Sequence, residues 1–213
     1  MTLSPTDFMH AMIAFTGAYE RDLSARMVGI AKKGGVLVDV GANWGYFTLL
    51  WGSANPANRV IAVEASPRNF QPLKHNIDLN KLSQQVTTYN VAAGKDRGAM
   101  PFDLGPEGIY GWGGLAVETS ASKIDVPVQR LDDLCSAVPS IDVLKIDVEG
   151  AEAIVLAGAT NLLRQKRIKR IFLELNEIRM KALGISPDEP RDILERNGYK
   201  CWSRGDDLEA VVA

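Results

Sequence analysis

The chain has 213 residues, 46% of them hydrophobic and 23% charged, enough to bury the core of one large domain or of a domain with an appendage. A formal net charge of -2 argues against a nucleic-acid partner held through phosphate neutralisation. Two cysteines and two histidines, without any metal-ligand spacing, indicate neither a cysteine metal site nor a disulfide framework.

The first segment, MTLSPTDFMHAMIAF, has no basic region ahead of its short apolar stretch. No run approaches the ~18 apolar residues of a membrane span, so a cytoplasmic setting is expected. From Thr6 to Ala31, Phe8, Met12, Phe15, Tyr19, Leu23, Met27 and Ile30 recur at helical spacing. That pattern predicts one or two amphipathic helices, with a break at Gly17. VLVDV (36–40) then reads as a strand, followed by a glycine turn and a helix from about Gly45 to Ser53.

The alternation continues. RVIAVEA (59–65) is a strand, Pro67 to Asn80 a helix, and VTTYNVAAG (86–94) a third strand. Residues 98–129 interrupt the rhythm with six glycines around Tyr110 and Trp112, which predicts an inserted hairpin or flap. IDVLKIDVEG (141–150) and IKRIFLELNE (168–177) are further strands, with helices over Ala151–Leu163 and Pro187–Asn197. The basic run Arg164, Lys166, Arg167, Lys169 and Arg170 reads as a solvated helix end. GYKCWSR and DLEAVVA, joined near Gly205 and Asp206, close the chain as an antiparallel pair. Near-continuous apolar strands alternating with helices imply a mostly parallel sheet covered on both faces.

In such a sheet ligands bind beyond the carboxyl ends of the strands. Those ends carry Asp39, Glu64, Ala92, Asp147 and Glu174 with Asn176. Carboxylates at successive strand ends are costly to bury unpaired, so a ligand crevice explains them better than packing. The turn Gly41-Ala-Asn-Trp-Gly45 lacks the G-x-G-x-x-G spacing of dinucleotide binders. Glu64 is placed to accept both hydroxyls of a ribose. Together these features suit an adenosyl amino acid better than a pyrophosphate. In LKIDVEGAE, Lys145 and Asp147 share a strand face, and Asp39, Asp147 or Glu174 are candidates to neutralise the lysine. Helix capping is the competing account of Asp147 and Glu149.

VDVGANWGYFTL, VIAVEASPRNFQPLKHNIDLN, RLDDL, IDVLKIDVEGAEAIVLAGA and IFLELNE resemble the FkbM family of S-adenosylmethionine-dependent methyltransferases, over roughly Tyr19 to Asn176. The resemblance implies an α/β class I methyltransferase (Rossmann-like) fold, with a seven-stranded, mostly parallel sheet whose last strand is antiparallel. It implies a helical lid over residues 1–35 and a cofactor-binding domain over 36–213. Asp39, Gly41, Asn43 and Gly45, with Phe47, would surround the methionine part of S-adenosyl-L-methionine. Glu64 would hold the ribose hydroxyls, with Ala65 and Ser66 beside it, and Ala92 would lie against the adenine. Asp147 would sit near the sulfonium and the acceptor. Tyr19-Glu20 matches the family's Y-E, although Tyr19 also fits a helix-core residue.

The expected reaction is O-methylation of a hydroxyl on a sugar or natural-product-like small molecule. Removing the hydroxyl proton needs a base, for which Asp147 stands first, then Glu174 and Glu149, with Lys145 tuning the charge. A divalent metal on Asp147 and Glu174 or Asn176 is the less favoured route, and no metal is assigned. An NAD-dependent oxidoreductase and a non-catalytic cofactor-binding module are the rival readings. The sequence leaves the acceptor's identity and the oligomeric state open.

Overall fold

The computed structural model describes every residue except 118, 119, 121 and 206, so part of the Gly-rich insertion and Asp206 of the terminal turn lie outside the described residues. In chain order the strands are β1 (Val36–Val40), β2 (Arg59–Val63), β3 (Val86–Tyr89), β4 (Ala92–Ala93), β5 (Gly98–Asp103) and β6 (Gly114–Leu115). They continue with β7 (Lys123–Gln129), β8 (Val143–Ile146), β9 (Arg170–Glu174), β10 (Tyr199–Arg204) and β11 (Asp207–Val212). The helices are α1 (Phe8–Thr16), α2 (Arg21–Ala31), α3 (Tyr46–Ala54), α4 (Pro67–Leu79) and α5 (Leu131–Leu134). Then come α6 (Glu152–Ala157), α7 (Thr160–Arg164), α8 (Glu177–Ala182) and α9 (Glu189–Arg196).

Seven strands form the main sheet in the order β3-β2-β1-β8-β9-β11-β10. Only β11 runs antiparallel to its neighbours, β9 and β10. Strand order reverses between β1 and β8, the place where open α/β sheets bind ligands. Side chains alternate across this junction. Val38, Val40, Leu144 and Ile146 enter one apolar core with Val155, Leu156, Leu162 and Leu163 of α6 and α7. Leu37 and Val143 enter the opposite core with Met27 of α2, Trp51 of α3 and Leu73 of α4. Among the described residues, no helix is long and apolar enough to cross a membrane.

The third strand is shorter than its apolar run. It leaves the main sheet after Tyr89 because the Asn90 side chain donates to the carbonyls of Glu64 (2.8 Å) and Ala65 (3.2 Å). Ala92 and Ala93 then pair with β7 in a second sheet, ordered β4-β7-β5-β6, which the insertion builds around its β5–β7 hairpin. The helix expected over 151–163 is also divided, into α6 and α7. Asp132 of the RLDDL motif causes the division: its N–H donates to the Gly158 carbonyl at 3.0 Å, and its carboxylate accepts from Asn161 N and Leu162 N at 3.0–3.1 Å. A carboxylate that takes two free amides starts a new helix.

Candidate active site

A cavity of about 300 Å³ opens over the β1–β2–β8 strand ends. Its floor begins with the turn after β1. Gly41 has φ +79°, and a Cβ there would stand 1.7 Å from the Asp147 carbonyl oxygen. Only glycine lets the first turn lie directly on the chain leaving β8. The N–H groups of Gly41 and Ala42 donate to the Val63 carbonyl at 2.9 and 3.1 Å, joining the turn to β2 as well.

Glu64 follows β2 and is 5% exposed. Its two oxygens accept from Asn43 N (2.7 Å) and Ser66 N (2.8 Å), so the carboxylate is clamped between the turn and the start of α4. Burial pushes its pKa up to about 7, against the two amide hydrogen bonds that favour the charge. A carboxylate has about four acceptor positions, so two stay available on the cavity side of this clamp. Asn43 also lines the cavity, and its buried Oδ1 has no partner among the described residues.

A second group of charges lies toward β9. Asp39 and Lys145 are register partners across β1 and β8, on the face covered by α3. Asp39 accepts from the Thr48 hydroxyl of α3 at 2.6 Å. The Lys145 ammonium sits 4.9 Å from the centre of the Phe47 ring and 3.0 Å from an Asp147 oxygen. Burial works against the charge on Lys145, but Asp147, Asp39, Glu20 and Glu174 outweigh it and raise its pKa. Glu174 has neither a hydrogen bond nor an ion pair from a described side chain. The charge of Asp147, then burial and Glu20, push its pKa up to about 8. Glu149, at φ +56°, accepts from Asn176 Nδ2 at 2.7 Å, and burial followed by Asp147 raises its pKa. Asp147, Glu149 and Glu174 also border an adjoining cavity of about 460 Å³ that runs toward Asn176, Ile178 and Asp207.

The roof comes from two distant stretches. Tyr110, Gly111 and Trp112 of the insertion line the cavity, with Gly111 beside Asn43, and Asp7, Phe8 and Met9 line it from the N-terminal segment. Asp7 joins the two, accepting from His10 N (3.1 Å) and from Tyr110 N (2.8 Å). The His10 ring packs 4.4 Å from Trp44 and 6.3 Å from Tyr110, and Trp44 lies 5.0 Å from Tyr110. Arg179 of α8 fastens the other end of the insertion, donating to the carbonyls of Glu149 (3.0 Å) and Leu115 (3.1 Å).

Of the residues singled out in the sequence, Tyr19, Gly41, Asn43, Glu64, Ala65, Ala92, Asp147, Glu149 and Glu174 line this cavity. Tyr19 does so from the bend between α1 and α2, partly buried with its ring edge-on against Tyr46 and Phe47, so it is not the helix-core residue of the competing account. Asp39, Gly45, Phe47, Ser66 and Lys145 are not part of the cavity wall: they stand behind it and hold the wall in place. Asp7, Arg179 and Asn69, whose Nδ2 donates to the Tyr110 carbonyl at 2.8 Å, are not among the residues singled out in the sequence. Asp7 carries a helix-start signal in TDFMH, whereas nothing local marks the other two. Among the described residues, no three His, Cys, Asp or Glu side chains come together as a metal-holding group.

The model of the methyltransferase FkbM domain matches residues 39–201. The hexuronic acid methyltransferase AglP of Haloferax volcanii is 30% identical over 175 residues, which cover 82% of this chain and 67% of that protein. Methyltransferase 1 of Beauveria bassiana is 28% identical over 144 residues, 57% of each chain. Among solved structures, the methyltransferase FkbM of Methylobacillus flagellatus superposes with a TM-score of 0.56 at 17% identity, covering 83% of this chain and 43% of that one. The chain thus spans about half the length of the latter two proteins. The match over 39–201 and the agreement in fold place the chain in the FkbM methyltransferase family.

Proposed function

We propose that the protein is an S-adenosyl-L-methionine-dependent methyltransferase that acts on a hydroxyl of a sugar or natural-product-like small molecule. The observation that carries the reading is Glu64, a buried carboxylate clamped at the wall of a cavity that continues to Asp147 and Glu174. The donor set fits the cofactor. Glu64 has acceptor positions left for ribose hydroxyls, and Asn43 Oδ1 is a buried acceptor in need of a donor such as an α-ammonium. When bound, S-adenosyl-L-methionine supplies an electrophilic methyl group.

The chain's own residues then align an acceptor and take one proton. Orienting the two reactants contributes several kcal/mol toward the ~7–11 available from effective molarity. Glu174 is the best-suited base: its pKa of about 8 lies near operating pH, and Lys145, which acts on it at a distance, makes its ion pair with Asp147 instead. Asp147 is already committed to Lys145, so its role is electrostatic. The carboxyl groups of Asp147, Glu149 and Glu174 along the adjoining cavity suit a neutral hydroxyl acceptor better than an anionic one. The N-terminal segment and the insertion are assigned as the lid, with the exposed Trp112 ring as an apolar platform for the acceptor.

Calorimetric titration with S-adenosyl-L-homocysteine and, separately, with NAD tests the cofactor assignment. Binding of the first alone is expected; no heat with the first overturns the reading.

A further inference from the structure

His10 of α1 is 1% exposed and takes no part in the function proposed above. Its Nδ1 accepts from Ser4 N at 3.0 Å, so that nitrogen carries no proton and the neutral ring holds its proton on Nε2. Nε2 is buried and has no partner among the described residues. The ring packs on Trp44 of the turn after β1 and on Tyr110 of the insertion. The N-terminal segment, the turn and the insertion therefore meet at this one side chain.

A second proton is incompatible with that junction. It would sit on Nδ1, where the Ser4 N–H already points, and two donors cannot share a hydrogen bond. It would also bring a full charge out of solvent. Asp7 pulls the other way, but its oxygens accept from His10 N and Tyr110 N, and neither bonds the ring. Trp44 offers no charge, and Arg68 of α4, 5.1 Å from the centre of the Tyr110 ring, adds a like one on that side. Burial outweighs Asp7 and holds the pKa of His10 below its ordinary 6.5.

We propose that His10 is a latch worked by a proton: the neutral ring fastens the N-terminal segment over the cavity, and the protonated ring releases it, so the roof opens in acid. In an opened segment the ring meets water and takes a proton at its ordinary 6.5. Closure is therefore favoured in full above that pH and weakens below it. The opening equilibrium rises by up to about tenfold per pH unit until the closed form itself is protonated. Asp7 bonds both the start of α1 and Tyr110 N, so releasing the segment also frees the insertion. The latch holds whatever ligand the cavity takes.

Amide hydrogen exchange at Ser4 and Tyr110 in the whole chain reads the latch, with each rate divided by its intrinsic value at the same pH. Both amides are expected to be protected at about pH 7.5 and to lose about tenfold in protection by about pH 5.5. The loss should begin near 6.5 and level off where the His10 imidazole itself titrates, which NMR follows with the exposed His75 as the second histidine signal. His10→Asn sets an amide oxygen near the place of Nδ1 and cannot titrate, so its protection is expected to stay flat. Amides unprotected at pH 7.5, protection unchanged at pH 5.5, or an equal loss in His10→Asn would each overturn the latch. Should His10→Asn not fold, the wild type decides alone: a loss that continues past the titration of the imidazole assigns the opening to another group.

Discussion

Asp39 and Lys145 face each other in register across the middle of a parallel sheet, at 1% and 3% exposure. Burying that pair is tolerable because each charge has further support: Thr48 on the acid and Asp147 on the base. Removing one member leaves the other uncompensated, which typically costs about 3–5 kcal/mol. Lys145→Met is therefore expected to lower the urea midpoint strongly, and Asp39→Asn in the same chain to restore part of the loss. Equal midpoints for Lys145→Met and the double variant, with Asp39→Asn alone also at the wild-type midpoint, would show that the two charges are not coupled.

Glu174 should make stability depend on pH. Its pKa rises from an ordinary 4.5 to about 8 in the folded chain, so the folded state holds this proton more tightly than the unfolded one. Its contribution is full below 4.5 and is lost as the pH climbs toward about 8. Glu174→Gln is expected to flatten the decline in unfolding free energy across that window. The same residue, as the base, should make kcat/KM rise through about pH 8. A pH–rate profile that keeps this limb in Glu174→Gln would assign the base elsewhere.

Under the proposed function, Glu64 is the residue on which cofactor affinity is expected to depend most. Hydrogen bonds to a charged group contribute about 1.5–3 kcal/mol, so Glu64→Ala is expected to weaken S-adenosyl-L-homocysteine between roughly tenfold and a hundredfold. Calorimetry reads this directly, with far-UV circular dichroism as the control for folding. A change of less than about threefold would remove Glu64 from the binding site.

Trp112 lines the cavity yet is 60% exposed, and the insertion that carries it is held by its backbone rather than by this ring. Trp112→Ala is expected to raise KM for the acceptor several-fold and to leave the dissociation constant of S-adenosyl-L-homocysteine unchanged. An equal loss in both would make the ring part of the cofactor wall.

Much of this architecture is legible in the chain. The strands read clearly because Val, Ile and Leu fill both faces of a covered sheet, and Glu64 and Asp147 stand out because strand ends rarely carry acids for packing alone. Where reading overshoots, a side chain intervenes from elsewhere. Asn90 takes the carbonyls that would have continued β3, and Asp132 takes the amides that begin α7. Neither effect shows in periodicity, which records apolar faces and not competing hydrogen bonds. The roof is the least legible part. Asp7 meets Tyr110 across 103 residues and Arg179 meets Leu115 across 64, so their roles exist only once the sheet has brought them together.

The contact between Gly41 and the Asp147 carbonyl has a consequence for turnover. With no side chain between them, the turn after β1 and the loop after β8 move as one block, and β2 is bonded to that block through the Val63 carbonyl. The spacing between Glu64, the proposed cofactor contact, and Asp147 is therefore expected to be held by the sheet. Ligand entry and exit are expected to fall to the roof, where Asp7, Asn69 and Arg179 each bond the insertion. Loosening those three should change how fast ligands come and go while leaving the reacting geometry as it is.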